Sequence, residues 1–254
     1  MKFYQQSRLQ QTLFAALTIF MTMNSSPFAI ASADNSETIR TTDQTIILIH
    51  GLGRTSRSMR TLERSLTAQG YTVVNLDYPS TRFDIEHLTK NYLAPAIEKA
   101  KANSTTLHFV THSMGGILVR HYLSTHSEES VKKIVMLAPP NGGSEIIDEF
   151  GDYSLFRSAL GPAAQQLSTN ENSLPNRLPA LSQEIGVIAG TSSLNPLSSC
   201  FINGLDDGKV SVASTMLPEM TDHLVLDVGH TFIMTDPQVL KHVSHFLSTG
   251  TFQH

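Results

Sequence analysis

Strand-like and helix-like segments alternate along this chain, which predicts an α/β fold with a mostly parallel central sheet and helices on both faces. Three observations carry that expectation. Short apolar runs rich in β-branched residues recur and end abruptly at turn-forming residues. Stretches of helical periodicity separate them. The chain has 254 residues with 40% hydrophobic and 16% charged side chains, enough for one sizeable core.

In order, Thr45–Ile49 (TIILI) reads as a buried strand closed by His50-Gly51, and Arg57–Gln69 as a helix through Met59, Leu62 and Leu66, stopped by Gly70. Thr72–Leu76 is a second strand, broken by Asp77-Tyr78-Pro79. Ile85–Ala102 has helical spacing, with Pro95 expected to disturb it. Leu107–Val110 runs as a third strand into Thr111-His112-Ser113, and Met114–Ser124 follows as a helix. Lys133–Leu137 is a fourth strand, ended by Pro139-Pro140. The rhythm is then lost from Gly142 to about Gln183. A structureless loop of that length is unusual, so residues 142–183 are expected to form a small helical cap with Leu155, Phe156, Leu160 and Leu167 on its apolar side. Strands resume at Ile185–Ala189 and Leu224–Val228, and a helix over Asp236–Leu247 closes the domain, with Pro237 in its first turn.

The N-terminus has the three-part pattern of a secretory signal peptide. Lys2 and Arg8 precede an apolar stretch from Leu13 to about Met23, and Ala31-Ser32-Ala33 offers a cleavage site. Thr18, Thr22 and Asn24 interrupt the run, leaving it short for a membrane-spanning helix of about 20 residues. Residues 1–33 are therefore expected to be removed, leaving one α/β domain over 34–254 that is secreted or periplasmic. The net charge of −4 is mild, and no basic run points to nucleic acid. Cys200 is the only cysteine, so no internal disulfide is possible; its expected role is that of a small buried hydrophobe.

The chemistry lies at the strand ends, where ligands bind in such sheets. Thr111-His112-Ser113-Met114-Gly115 resembles a nucleophile elbow, in which a sharp strand-to-helix turn presents a serine. The leading glycine of the usual G-x-S-x-G is Thr111 here. His50-Gly51-Leu52-Gly53 follows the first strand, where an oxyanion loop belongs. By that mapping the backbone N–H groups of Leu52 and Met114 are the oxyanion donors, and His50 holds the loop. A base and an acid must follow the serine in the order Ser, Asp/Glu, His. His230, just past the last strand, is preferred over His223; His121, His126, His242 and His245 lie on helices away from the site. Asp207 is preferred over its neighbour Asp206 as the acid, and Asp227 reads as a structural strand residue.

HGLGRTSRSM, THSMGG, MLAPPNGGSE and DDGKVSV…VGHTFIM together resemble a bacterial lipase/esterase family of the α/β-hydrolase superfamily, related to GPI-inositol-deacylase-like lipases. The similarity spans residues 44–252. In such proteins the D-G-x-V segment carries the triad acid, which supports Asp207. The implied activity is hydrolysis of carboxylic esters, lipid or acyl esters foremost, by Ser113, His230 and Asp207 through an acyl-enzyme. Short-chain carboxylesterase, thioesterase, acyltransferase and a non-catalytic binding protein are the alternatives. No cofactor is expected, and no H-E-x-x-H or comparable spacing marks a metal site. The expected partners are a small-molecule ester or lipid substrate and, transiently, a lipid interface, with Phe156 and Leu160 contacting substrate. No nucleic acid and no obligate protein partner is expected.

Overall fold

The computed structural model describes residues 43–193 and 196–254. The expected signal peptide lies outside the described residues. Six strands form one parallel sheet: β1 (Gln44–Ile49), β2 (Thr72–Leu76), β3 (Thr106–His112), β4 (Val131–Leu137), β5 (Glu184–Gly190) and β6 (Asp222–Leu226), in the spatial order β2-β1-β3-β4-β5-β6. The chain steps outward from β1 to β2, then returns across β1 to β3. Strand order therefore reverses between β1 and β3, the point at which a crevice opens beyond the carboxyl ends. In register, Ile49 of β1 lies beside Thr111 of β3. The segments that begin at His50 and His112 are thus neighbours by topology.

Both faces of the sheet are covered, which is why the strands read as apolar runs without alternation. Ile46 and Leu48 face one layer with α1 (Arg60–Ala68) and α10 (Pro237–Thr249), through Leu62, Leu66, Val239, Val243 and Phe246. Ile47 and Ile49 face the other, with Ile85 and Leu88 of α2 (Ile85–Leu88), Ile97 of α3 (Ala94–Lys101) and Ile117 and Leu118 of α4 (Met114–Thr125). Each such side chain, fully buried, contributes about 1.5–3 kcal/mol over an exposed one. A π-helical turn, Thr89–Leu93, separates α2 from α3. It widens the helix just ahead of Pro95, which has no N–H to donate and whose ring crowds the carbonyl four residues back.

Residues 142–183 are helical in part: α5 (Glu145–Phe150), α6 (Ser154–Gln165, kinked at Gly161-Pro162) and α7 (Leu174–Arg177). Phe156 and Leu167 are buried, as expected of the apolar side. Leu155 is not; it is 57% exposed, because α6 turns it away from the cluster that receives Phe156. The last strand begins two residues earlier than the apolar run suggests. His223 lies within it and Asp227 just beyond it, since pairing with β5 starts at Asp222 opposite Gly186. Cys200 also departs from expectation. It is exposed, at the end of a short turn, α8 (Pro196–Ser199), on the loop leading to Asp206. One further short turn, α9 (Val212–Thr215), precedes β6. No described helix is long and apolar enough to cross a membrane.

Candidate active site

Ser113 occupies the turn between β3 and α4 with φ 52° and ψ −125°. A non-glycine residue at positive φ costs on the order of 1–3 kcal/mol and persists only where the surroundings over-determine it. Here its amide donates to Leu137 O of β4 at 2.8 Å, and its carbonyl accepts the Gly116 amide at 3.0 Å. The turn is tight because α4 starts almost on top of β1: a Cβ at Gly115 would lie 2.6 Å from Ile49 O. Thr111, in the place usually held by glycine, is fully buried with its hydroxyl toward Gly116.

The loop after β1 is held from below. His50 is buried and stacks on Tyr78 at 4.1 Å between ring centroids. Its Nδ1–H donates to Gly51 O at 2.9 Å, its Nε2 accepts the Tyr78 amide at 3.4 Å, and the Tyr78 hydroxyl donates to His50 O at 2.5 Å. Burial lowers its pKa, which suits this neutral tautomer. Gly53 N donates to the Ser80 hydroxyl at 3.0 Å, fixing the far side of the loop. Within this frame the Leu52 and Met114 amides donate to no described residue. For Met114 this follows from its place at the first position of α4, where helix N–H groups have no internal partner.

Asp207 and His230 come together at the other side of the strand ends. Asp207 Oδ2 accepts the His230 Nδ1–H at 2.7 Å, and both side chains are buried. Oδ1 of the same carboxylate takes the Lys209 and Val210 amides at 3.0 and 2.9 Å, while its backbone carbonyl accepts the His230 amide at 3.1 Å. With Nδ1 donating, Nε2 keeps its lone pair. Asp206 has a different occupation: its Oδ1 accepts the Gly208 amide and the Ser199 hydroxyl, each at 2.7 Å, and it shapes the loop. Of the other histidines, His223 contacts Thr215, His126 stacks on Tyr122 and His245 bonds Thr251 O. None of these joins Asp207.

Two residues that the motifs do not single out complete the frame. His112 is buried between the serine turn and the His230 loop. Its Nε2–H donates to His230 O at 3.0 Å, and the two rings lie 4.8 Å apart. That leaves its Nδ1 without a partner, facing Gly51, where a Cβ would come within 2.8 Å of it and 3.0 Å of the Ser113 Cβ. Burial holds His112 well below the usual imidazole pKa, helped by the positive charges of Arg54 and Lys209. Gly190, ending β5, lets Asp207 approach: a Cβ there would lie 2.3 Å from Val228 O and 2.9 Å from the Asp207 Cβ. The only sequence cue to His112 is its place within the T-H-S triple; Gly190 has none.

Phe156 and Leu160 pack against the apolar cluster on the sheet's α2–α4 face, Phe156 with its ring 6.0 Å from that of Phe150. Among the described residues, no group of three or more His, Cys, Asp or Glu is arranged to hold a metal ion.

A family model described as alpha/beta hydrolase fold matches residues 44–184, more than half of the chain. The chain belongs to the α/β hydrolase fold family. No curated protein matches it by sequence. Among solved structures this α/β hydrolase is similar to a mature lipase of Bacillus licheniformis, with 19% identity, 86% of this chain and 96% of that chain covered, and a TM-score of 0.66. It is also similar to a metagenomic carboxyl esterase, with 20% identity, 82% and 68% coverage, and a TM-score of 0.60. A phospholipase of Legionella pneumophila aligns with 18% identity over 68% of this chain and 44% of its own length, TM-score 0.56. At these identities the likeness is one of fold, and the six-stranded parallel sheet of this hydrolase matches theirs.

Proposed function

We propose that this hydrolase cleaves carboxylic esters by two-step acyl transfer through Ser113, His230 and Asp207. The observation that carries this reading is the conjunction of a strained serine at the β3–α4 turn with a buried Asp207–His230 pair across the same strand ends. The relatives described as lipase and carboxyl esterase add support.

In this reading His230 Nε2 takes the Ser113 hydroxyl proton as the oxygen attacks the ester carbonyl. The tetrahedral oxyanion accepts hydrogen bonds from the Leu52 and Met114 amides. Asp207 keeps the imidazole in the Nδ1–H tautomer and stabilises the imidazolium. His230 then returns the proton to the departing alkoxide, leaving an acyl-serine. Water, deprotonated by His230, releases the acid and restores the serine.

The same reading extends to substrate and location. Leu155 of the insertion, Leu205 of the Asp207 loop and Phe232 beyond His230 are 57%, 66% and 53% exposed, and all follow carboxyl ends of the sheet. Such side chains suit acyl chains and transient contact with a lipid surface, so medium-to-long acyl esters are the favoured class. Residues 1–33 direct the chain out of the cytoplasm and are then cleaved, which N-terminal sequencing of the mature protein tests. The enzymatic proposal is tested with p-nitrophenyl esters from acetate to palmitate and a fluorophosphonate probe. The wild type should label and turn over with a preference for longer chains, and Ser113→Ala should do neither. Labelling or turnover retained in Ser113→Ala removes the nucleophile. Preference for acetate and butyrate makes the protein a short-chain carboxylesterase.

A further inference from the structure

His230 reaches the site on the loop after β6, and the main chain around it is gripped from three sides. Its amide donates to the Asp207 carbonyl at 3.1 Å, and its carbonyl accepts the His112 Nε2–H at 3.0 Å. The next carbonyl, that of Thr231, accepts a guanidinium Nη2–H of Arg54 at 3.3 Å. The three partners come from three separate segments: the acid loop, the serine turn and the HGLGR loop after β1. Arg54 is thus the grip that arrives from the oxyanion side.

Arg54 is placed to fix a loop and not to neutralise a charge. It is half-buried, and among the described residues it forms no ion pair. Its guanidinium is spent on a main-chain carbonyl, a charge-assisted bond with a defined direction. The root of the side chain is constrained as well. Its amide donates to Gly51 O at 3.3 Å, its carbonyl accepts from the Ser80 hydroxyl at 3.5 Å, and that hydroxyl accepts the Gly53 amide at 3.0 Å. Away from this bond the two segments also share apolar packing, since Met59 lies in one buried cluster with Ile233 and Met234. Such packing holds the segments together but is non-directional. It does not by itself orient the peptide that follows His230; the Arg54 bond does.

We propose that Arg54 is a positioning residue for the general base, tying the loop that carries the Leu52 amide to the loop that carries His230. The proposal rests on the Ser113–His230–Asp207 reading. In that chemistry His230 Nε2 takes the Ser113 proton as the bond from Oγ to the carbonyl carbon forms. The same proton then passes to the alkoxide oxygen as the ester C–O bond breaks. Both transfers require Nε2 within hydrogen-bond reach of the reacting oxygen, and a misplacement of about 1 Å costs on the order of a hundredfold. Arg54 acts on them through the Thr231 peptide.

The test measures kcat/KM on ethyl hexanoate and p-nitrophenyl hexanoate, which deliver the same acyl group and differ only in the alcohol. Nitrophenolate departs without a proton, whereas ethoxide must take one from His230. A misplaced base is therefore felt twice on the ethyl ester and once on the nitrophenyl ester. Arg54→Met keeps the apolar stem and removes the donor. It should lose about tenfold or more on the ethyl ester, in kcat and not in KM, and several-fold less on the nitrophenyl ester. Arg54→Lys, which restores a donor and a charge, should recover most of the loss. Thermal unfolding of both should stay close to that of the wild type, because Met59, Ile233 and Met234 remain packed. Where Arg54→Met is unstable, Arg54→Gln repeats the comparison. Unchanged rates, or an equal loss on the two esters, overturns the positioning role. Turnover kept in Ser113→Ala fails the triad reading and the tether with it, whereas an inactive Ser113→Ala beside a fully active Arg54→Met fails the tether alone.

Discussion

Replacing Asp207 by Asn separates the proposed acid from its neighbour. Asp207 Oδ1 accepts two loop amides, so an asparagine in the same rotamer must keep its carbonyl oxygen there. Its NH2 then faces His230 Nδ1, which at 2.7 Å can only accept. The imidazole is forced to carry its proton on Nε2, where it can no longer take one from Ser113. In a serine-protease triad this tautomer error lowers turnover about 10⁴-fold, or about 5.5 kcal/mol at 1.36 kcal/mol per decade. Asp206→Asn behaves differently. Its oxygen can still accept from Gly208 and Ser199, so the change should cost less than about tenfold. The assay is kcat on a soluble p-nitrophenyl ester, with thermal unfolding to verify that both variants are folded. Asp207→Asn retaining a tenth of wild-type turnover, or Asp206→Asn being the slower enzyme, would refute the reasoning.

Four other outcomes are expected. Gly51→Ala, which drives a methyl against His112 and Ser113, should lower kcat at least tenfold with little change in far-UV circular dichroism; a fully active variant would mean that the loop yields. His112→Ala removes the bond to the His230 carbonyl and should reduce kcat more than it raises KM, which steady-state kinetics will show. Phe156→Ala should destabilise the fold by about 3–5 kcal/mol in urea unfolding, whereas Leu155→Ala should stay within about 0.5 kcal/mol, since only the former is buried. Stability should also decline on acidification. His50, His108 and His112 are kept neutral by burial, His108 being pushed down to about 4, so each stabilises fully above the unfolded value near 6.5. As pH falls below 6.5 the unfolded chain gains protons that the fold refuses, at up to about 1.4 kcal/mol per pH unit per group. For His108 that window ends near pH 4. An equal urea midpoint at pH 7 and pH 5 would contradict it.

What the sequence discloses of this molecule is what depends on neighbours in the chain. TIILI and the IVML of KIVML are buried on both faces, and TVVNL, on the edge strand, is half-buried but apolar and β-branched, so all three read as strands without help from tertiary context. The turns that hold Ser113, Gly115 and Asp207 are legible because each is a short segment with its own turn chemistry. The start of β6 was not, because it depends on pairing with β5 and not on local hydrophobicity. Leu155 and Phe156 are adjacent, apolar and equally plausible as contacts; only the orientation of α6 separates them. Arg120 left no trace at all. It is buried in α4, with its guanidinium on Asn141 O, Asn141 Oδ1 and Leu178 O, and it ties the helix after the serine to both ends of the insertion. Burial lowers its pKa to about 10, yet it stays charged at neutral pH.

The pieces that no local pattern reveals share one purpose. Strand order brings the loop after β1 and the turn after β3 side by side, but it does not set the distance to His230, which arrives from beyond β6. That distance is set by His112, which reaches from the serine turn to the His230 carbonyl, and by the Asp207 carbonyl on the His230 amide. On the opposite side Tyr78 and Ser80, from the segment after β2, fix the HGLG loop through His50 O and Gly53 N. Every one of these bonds has a main-chain group as one partner. Side chains around the strand ends can therefore change without moving the backbone that carries Ser113, His230 and the Leu52 and Met114 amides.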